Sequence, residues 1–196
     1  MKKLTKKSLI VLGLFASMLT YANSDIETIK EKEPNVTNIS FKMVKLGSML
    51  SIKDMNGIVL YKESIIKSGD YSKGFDLTSL PNGDYFFELD TELEIVIVPF
   101  NVVSNQVAFK KEEKSTIFKP FVRVKDDKVF VSRVSFEKSP IEYSIYYKDN
   151  YDLVLTEKIK DEKYLKRIYD FSTAQKGSYV FVFKSNGRKF TKTVKI

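Results

Sequence analysis

Hydrophobic and polar positions alternate with a period of two along most of the chain beyond residue 35. In GDYFFELD, Tyr85, Phe87 and Leu89 share one face of an extended strand, with Phe86, Glu88 and Asp90 on the other. SYVFVFK repeats the pattern with Tyr179, Phe181 and Phe183. Such alternation predicts strands with one face buried. Asn56-Gly57 separates MLSIKDM from IVLYKES, and Asn186-Gly187 separates YVFVFK from RKFTKTVKI. Both pairs predict two-residue hairpins, because Asn and Gly tolerate φ > 0 at both positions. Asp126-Asp127 is expected to turn FKPFVRV back into KVFVSRVSF. Helical periodicity is almost absent; KYLKRIYDF (163–171) comes nearest, and most of it still reads as strand. The predicted class is all-β and antiparallel.

The pattern also repeats as a whole. FDLTSLPNGDYFFELDTELEIVIVPFNV from Phe75 aligns without a gap with YDFSTAQKGSYVFVFKSNGRKFTKTVKI from Tyr169, an offset of 169 − 75 = 94. Asp76 then faces Asp170, Gly83 faces Gly177 and Tyr85 faces Tyr179. Upstream, LSIKDMNGIVLYKESI from Leu50 matches YSIYYKDNYDLVLTEKI from Tyr143, with a one-residue slip. Two copies of one unit follow, each of six or seven short strands with regularly spaced turns, the pattern of a small antiparallel sandwich. The copies are expected at 36–109 and 116–196. KKEEKS at 110–115 forms the linker between them, and the charged, patternless stretch 23–35 forms a flexible lead-in.

The first residues differ in kind. Lys2, Lys3, Lys6 and Lys7 precede the apolar SLIVLGLFASML, and Thr20-Tyr21-Ala22 offers a small residue before Asn23. That order predicts a secretory signal at 1–22, cleaved between Ala22 and Asn23. The apolar run falls short of the roughly 20 residues needed to span a bilayer, and the mature chain has no transmembrane segment. The expected destination is export through the Sec pathway to the periplasm, the cell surface or the medium. Four of the 33 basic residues leave with the signal, so the mature balance is 29 − 25 = +4. That charge solubilises; it is not a nucleic-acid footprint.

Composition narrows the chemistry further. The chain has no Cys, so burial alone must stabilise an exported fold, and 15 Phe and 11 Tyr supply the material. It has no His either. Ser-His-Asp and Cys-His nucleophiles and zinc sites of His or Cys type are thereby excluded. No cofactor is expected.

Three stretches hold candidate residues. In the L-P-N-G corner, Asp76 is placed to bond backbone N–H groups downstream, Leu80 to plug the core and Pro81 to preset its φ. Gly83 is expected to supply a conformation that other residues resist. Asp170, Gly177 and Tyr179 keep the corner's outline in the second copy. In ELDTELE, Glu88, Asp90, Glu92 and Glu94 would line one face of a straight strand and attract Ca²⁺, or Asp90-Thr91-Glu92 is a turn with its charges solvated. In IFKPFVRVKDDKVFVSRVSF, Phe118, Phe121 and Phe130 interleave with Lys119, Arg123, Lys125, Lys128 and Arg133. That mixture suits an anionic polysaccharide or a lipid head group, with Arg123, Lys125 and Arg133 as its surface, or it is a hairpin with apolar residues inward and basic ones outward. Pro120 marks the strand as an edge or its start.

The unit resembles the C-terminal sorting domains of type IX secretion cargo, which are small Ig-like β-sandwiches. Asp54, Gly57, Asp76, Leu77, Leu80, Pro81, Gly83 and Tyr85 carry the likeness in the first copy. Asp170, Gly177, Tyr179, Gly187, Thr191 and Lys192 carry it in the second. The resemblance implies the sandwich fold, export, and a corner read by export machinery. This chain departs from it by lacking a cargo domain and by losing Leu-Pro from the second copy. The expected function is non-enzymatic binding in the cell envelope, with an envelope protein or surface glycan as partner. A sorting module is the alternative. A carboxylate-based glycan hydrolase needs two acids roughly 5 to 10 Å apart across a cleft, for which two small sandwiches offer no obvious place.

Overall fold

The computed structural model describes residues 26–30 and 36–196; the expected signal and its cleavage point at Ala22 and Asn23 lie outside them. The chain divides into two compact units, with the change-over between Ile117 and Phe118.

The first unit contains β1 (Ile26–Lys30), β2 (Thr37–Val44), β3 (Met49–Asp54), β4 (Val59–Ser64), β5 (Gly69–Phe75), β6 (Gly83–Asp90), β7 (Glu94–Val103) and β8 (Gln106–Phe109). One sheet runs β1-β2-β5 and the other β4-β3-β6-β7-β8, with β9 (Ser115–Phe118) also paired to β7. The second unit contains β10 (Phe121–Lys125), β11 (Lys128–Val134), β12 (Ile141–Tyr147), β13 (Asp152–Ile159), β14 (Tyr164–Asp170), β15 (Ser178–Ser185) and β16 (Arg188–Lys195). Its sheets run β10-β11-β14 and β13-β12-β15-β16. Strand for strand these are the same arrangement: β1 through β7 of the first unit occupy the places of β10 through β16. All pairings for which a register is known are antiparallel. The duplication read from the sequence is a duplication of topology.

Each pair of sheets closes on the apolar face that the alternation predicts. Ile39 and Phe41 of β2 pack with Leu50, Ile52, Phe87, Leu89, Val98 and Phe100 of the facing sheet. In the second unit Val129 and Val131 meet Tyr143, Ile145, Phe181 and Phe183. Each large apolar side chain buried this way contributes roughly 1.5–3 kcal/mol. That is how the fold stands without disulfides.

Three local expectations are corrected. Residues 26–30, expected within a flexible lead-in at 23–35, form β1 and pair with Thr37–Phe41 of β2. An unpaired β2 edge would leave backbone donors and acceptors open, and β1 fills the place that β10 fills in the second unit. The segment 110–115 is not a free tether. Lys110 donates its N–H to the Pro99 carbonyl at 3.0 Å, a single 3₁₀ turn covers Lys111–Glu113, and β9 follows. Asn56-Gly57 is not a two-residue turn either. Only Gly57 has positive φ, +82°, and Asp54 Oδ1 accepts the N–H groups of both Asn56 and Ile58. An Asx-closed loop with an αL glycine replaces the type I′ turn there. Asn186-Gly187 and Asp126-Asp127 do form two-residue hairpins with φ > 0 at both positions.

Candidate functional site

The repeated corner is structural in both copies. Asp76 Oδ1 accepts from the Thr78 N–H at 3.1 Å and from the Thr78 hydroxyl at 2.6 Å. Leu80 packs against the core. Tyr85 donates its hydroxyl to the Pro81 carbonyl at 2.8 Å. In the second unit Asp170 Oδ1 accepts from the Ser172 N–H at 2.9 Å, and Tyr179 donates to the Gln175 carbonyl at 2.7 Å. A buried tyrosine at the start of a strand, bonded back four residues upstream, is the tyrosine corner of immunoglobulin-type sandwiches. The two glycines differ from each other. Gly177 has φ +149°, and a Cβ there would meet the Tyr147 hydroxyl at 2.6 Å. Gly83 has no positive φ, and its Cβ would make only ordinary contact with the Tyr85 hydroxyl at 3.4 Å and the ring at 3.5 Å. The expectation that Gly83 supplies a special conformation is therefore corrected; that role belongs to Gly177. Lys192 sits on the inner side of the edge strand β16, between Phe190 and Val194, both packed on the core.

The acid run is divided by a turn, as one of its two readings has it. β6 ends at Asp90, β7 begins at Glu94, and Thr91 and Glu94 bond to each other across the bend. The charges are not all solvated, however. Glu88 is buried and its carboxylate meets Lys53 Nζ at 2.7 Å. A strand position facing away from the core is covered here, and a carboxylate tolerates that because a cation accompanies it.

The basic stretch divides by strand face. On β10, Val122 and Val124 pack inward while Phe121, Arg123 and Lys125 are exposed. On β11, Val129, Val131 and Arg133 point inward. Arg133 is only 7% exposed and donates from Nη1 to the Ser139 carbonyl at 3.1 Å. Burial lowers its pKa from the ordinary guanidinium value. Arg133 is thus removed from the anion-binding surface expected of it. The period-two rule explains why, since it shares parity with Val129 and Val131, not with Phe130.

What remains is the outer face of β10–β11–β14, and the register fixes its rows. Lys125 lies beside Lys128 and then Asp170; Arg123 beside Phe130 and then Ile168; Phe121 beside Ser132 and then Lys166; Val134 beside Tyr164. Phe121, Tyr164 and Ile168 are each about half exposed, at 46%, 54% and 46%. The Arg123 guanidinium lies 5.2 Å over the Phe130 ring. Arg123, Lys125, Lys128 and Lys166 make no ion pair among the described residues. The face thus presents four cations, an apolar centre and one carboxylate, Asp170, which accepts from the Ser172 N–H.

The first unit supplies its own comparison. At the places of Phe130 and Ile168 it has Asn38 beside Gly74, and at the places of Ser132 and Lys166 it has Ser40 beside Ser72. These four positions are small and polar in one copy and carry an aromatic, a cation and an aliphatic side chain in the other, while β1 places Ile29 and Glu27 in the rows where β10 has Arg123 and Phe121. Lys119 lies before Pro120, outside these rows.

A second shared feature escaped the sequence reading. Glu63 on β4 and Lys73 on β5 come from opposite sheets and meet at 2.5 Å, with the Tyr61 and Tyr71 hydroxyls donating to the same carboxylate. Glu157 on β13 and Arg167 on β14 do the same at 2.9 Å, joined by Tyr143 and Tyr169, each 2.9 Å from Glu157 Oε2 and hydrogen-bonded to each other. The offset of 157 − 63 = 167 − 73 = 94 is the repeat offset, which is the signal that would have found them. Burial opposes ionisation of both carboxyls, but hydrogen bonds from the cations and tyrosines outweigh it and hold both below the ordinary value. Burial pushes the Tyr143 and Tyr169 hydroxyls far above the ordinary tyrosine value. An ionised carboxylate saturated by neutral phenols and a cation is neither a base nor a nucleophile poised for chemistry. It clasps two sheets together.

Comparison with known proteins gives no family. No protein-family model matches the chain, and no curated protein matches it in sequence. Among solved structures, the BSP domain of a biofilm-associated protein aligns with 84% of this chain at 13% identity and a TM-score of 0.29. The chain spans 27% of that structure's length. The ligand-binding domain of human OSCAR aligns with 82% of the chain at 6% identity and a TM-score of 0.27, over 89% of its own length.

Proposed function

We propose that this chain is an exported, non-enzymatic binding protein of the cell envelope. Its second sandwich holds an anionic surface glycan on the outer face of β10–β11–β14. The observation that carries this reading is the divergence between the copies. Four small neutral positions, Asn38, Ser40, Ser72 and Gly74, are replaced by Phe130, Ser132, Lys166 and Ile168 on a repeated scaffold, and Glu27 in the same rows gives way to Phe121. Sugar rings stack on half-exposed aromatic and aliphatic side chains, while acidic substituents pair with Arg123, Lys125, Lys128 and Lys166. Export is supported by the signal-like first 22 residues. Non-enzymatic action is supported by the lack of His and Cys and by carboxylates already committed to Lys53, Lys73 and Arg167.

The test is affinity electrophoresis of the mature chain from Asn23 through alginate, a polyuronate. Retardation is expected, and it is expected to fall about tenfold in Arg123→Ala/Lys166→Ala and also in Phe130→Ser, at unchanged stability. Equal retardation of the Phe130→Ser protein would reduce the effect to bulk charge and overturn the reading.

The sorting resemblance supports a second reading, favoured by the exposed apex Pro81-Asn82-Gly83 beside the ordered corner. Its test is export of the whole chain in a host with and without a type IX system. Identical export in both hosts sinks it.

A further inference from the structure

One end of the first unit carries the most exposed apolar side chain among the described residues. Ile66 is 87% exposed, and Met43 and Leu46 are 62% and 65% exposed. Leu46 and Ile66 sit on two neighbouring connections, β2 to β3 and β4 to β5, and Met43, with φ +53°, lies in the irregularity between Phe41 and Val44 at the end of β2. Backbone bonds tie these connections together: Gly47 N–H donates to the Ile65 carbonyl at 2.8 Å and Ile65 N–H to the Ser48 carbonyl at 2.8 Å. Leu46 N–H donates to the Ser68 hydroxyl at 2.9 Å, and Met43 N–H to Asp70 Oδ1 at 3.0 Å. The three apolar groups are thereby held at one tip by ordered backbone. Lys45 and Lys67 flank them in sequence and are exposed. Asp70 is the one acid in these segments, and it already accepts a backbone N–H.

The second unit does not share this tip. Ile65 corresponds to Ile159, since the two are 94 residues apart, the repeat offset, and both are buried. Ile66 and Lys67 therefore correspond to Lys160 and Asp161. The matching loop there is SFEKSP, and its exposed Phe136 is covered on one side by Lys163, 4.7 Å from the ring, and by Phe118, with ring centroids 5.8 Å apart. Charges at that end are mixed: Glu137, Lys138, Lys160, Asp161, Glu162 and Lys163. The apolar tip ringed by lysines thus belongs to one copy, as the aromatic face belongs to the other.

We propose that the tip formed by Met43, Leu46 and Ile66 docks into the interface of an anionic phospholipid bilayer. A hydrophobic tip alone would suit any apolar partner. The lysines decide the occupant. A bilayer surface offers hydrocarbon just below a layer of phosphates, so side chains that project apolar groups at the tip and ammonium groups around it satisfy both layers at once. Each lysine held near such a surface strengthens binding about fivefold, and the effect is lost with salt. Among the described residues no helix is long and apolar enough to cross a membrane. This docking calls on residues and a ligand class separate from the glycan face.

The chain contains no Trp, so an introduced one reports alone. The experiment uses the mature chain from Asn23 carrying Ile66→Trp, and a control carrying Lys160→Trp at the equivalent place in the second unit. Each is mixed with vesicles of phosphatidylcholine alone or of phosphatidylcholine with phosphatidylglycerol. The expected result is a blue shift of emission for Ile66→Trp with the mixed vesicles only, and none for Lys160→Trp. In vesicle flotation of the Trp-free protein, Leu46→Asn/Ile66→Asn is expected to lower the bound fraction about tenfold. Lys45→Gln/Lys67→Gln is expected to abolish the preference for phosphatidylglycerol. An unshifted Ile66→Trp spectrum overturns the proposal. So does an equal shift at position 160, or a change of oligomeric state as the sole effect of Leu46→Asn/Ile66→Asn. Unaltered alginate retardation of the same variants keeps this result independent of the glycan reading.

Discussion

Glu157 and Arg167 reach across from opposite sheets of the second sandwich and join at 2.9 Å, in the positions that Glu63 and Lys73 hold in the first. The chemistry is kept while its helpers change. Tyr61 and Tyr71 serve the first carboxylate, Tyr143 and Tyr169 the second. A carboxylate with several donors tolerates such exchange, because any phenol in reach fills a lone pair. Glu157→Gln should destabilise the second unit by about 2 kcal/mol, since it leaves Arg167 only the longer and more exposed pair with Glu162 at 3.3 Å and weakens the bonds of both tyrosines. Glu63→Gln should cost less, because that cluster is more exposed. Urea unfolding of each variant measures both.

The same clasps set a pH window. Both carboxyls are held below their ordinary value when folded, so the stability they contribute is complete above the unfolded carboxyl pKa of about 4 and disappears as pH falls through the lowered one. Tyr143 and Tyr169 are shifted upward, so their contribution is complete below the unfolded tyrosine pKa of about 10 and is lost as pH rises beyond it. A thermal melt series should show a plateau between these limits. Tyr143→Phe should reduce the alkaline fall of the second unit, leaving the part due to Tyr169, and should also shrink the acid fall, because it removes one of the hydrogen bonds that hold Glu157 below its ordinary value.

The two tyrosine corners invite a paired measurement. Tyr85→Phe and Tyr179→Phe each remove one hydroxyl donor from a backbone carbonyl while leaving the ring stacked on Phe100 or edge-on to Phe171. Each should cost about 1 kcal/mol in its own unit. A loss in Tyr85→Phe export without a loss of stability would instead favour the sorting reading.

Gly83 and Gly177 align in sequence but should answer substitution differently. Gly177→Ala places a methyl group 2.6 Å from the Tyr147 hydroxyl at a φ that L-residues rarely adopt, and should cost about 2 kcal/mol. Gly83→Ala meets only van der Waals contact and should be near neutral. Comparable losses at the two positions would contradict the geometry.

Arg133 and Arg123 should separate stability from binding. Phe41 is the fully buried residue at the place of Arg133 in the first unit, so the site accepts an apolar side chain. Arg133→Met should keep or slightly raise stability, because it removes a buried charge without opening a cavity. It should leave alginate retardation unchanged. Arg123→Ala should do the reverse, lowering retardation at constant urea midpoint.

How far the sequence reached can be read at individual residues. Alternation alone placed Tyr85, Phe87, Tyr179, Phe181 and Phe183 in the cores, because the pleat sends neighbours to opposite faces whatever the partner strand. The offset of 94 established the duplication for the same reason, since two copies of one pleat pattern must build the same sandwich. Parity also contained the fate of Arg133, as it shares its strand face with Val129 and Val131. What parity does not carry is which strand lies beside which. Rows such as Arg123, Phe130 and Ile168 join residues up to 45 positions apart (168 − 123), and only the antiparallel register aligned them. Glu63 with Lys73, Glu157 with Arg167, and Leu46 with Ile66 likewise meet through sheet packing and paired loops. The local chain determined the faces; the tertiary structure decided the neighbours, because hydrogen-bonded register and sheet stacking are properties of strand pairs and not of single strands.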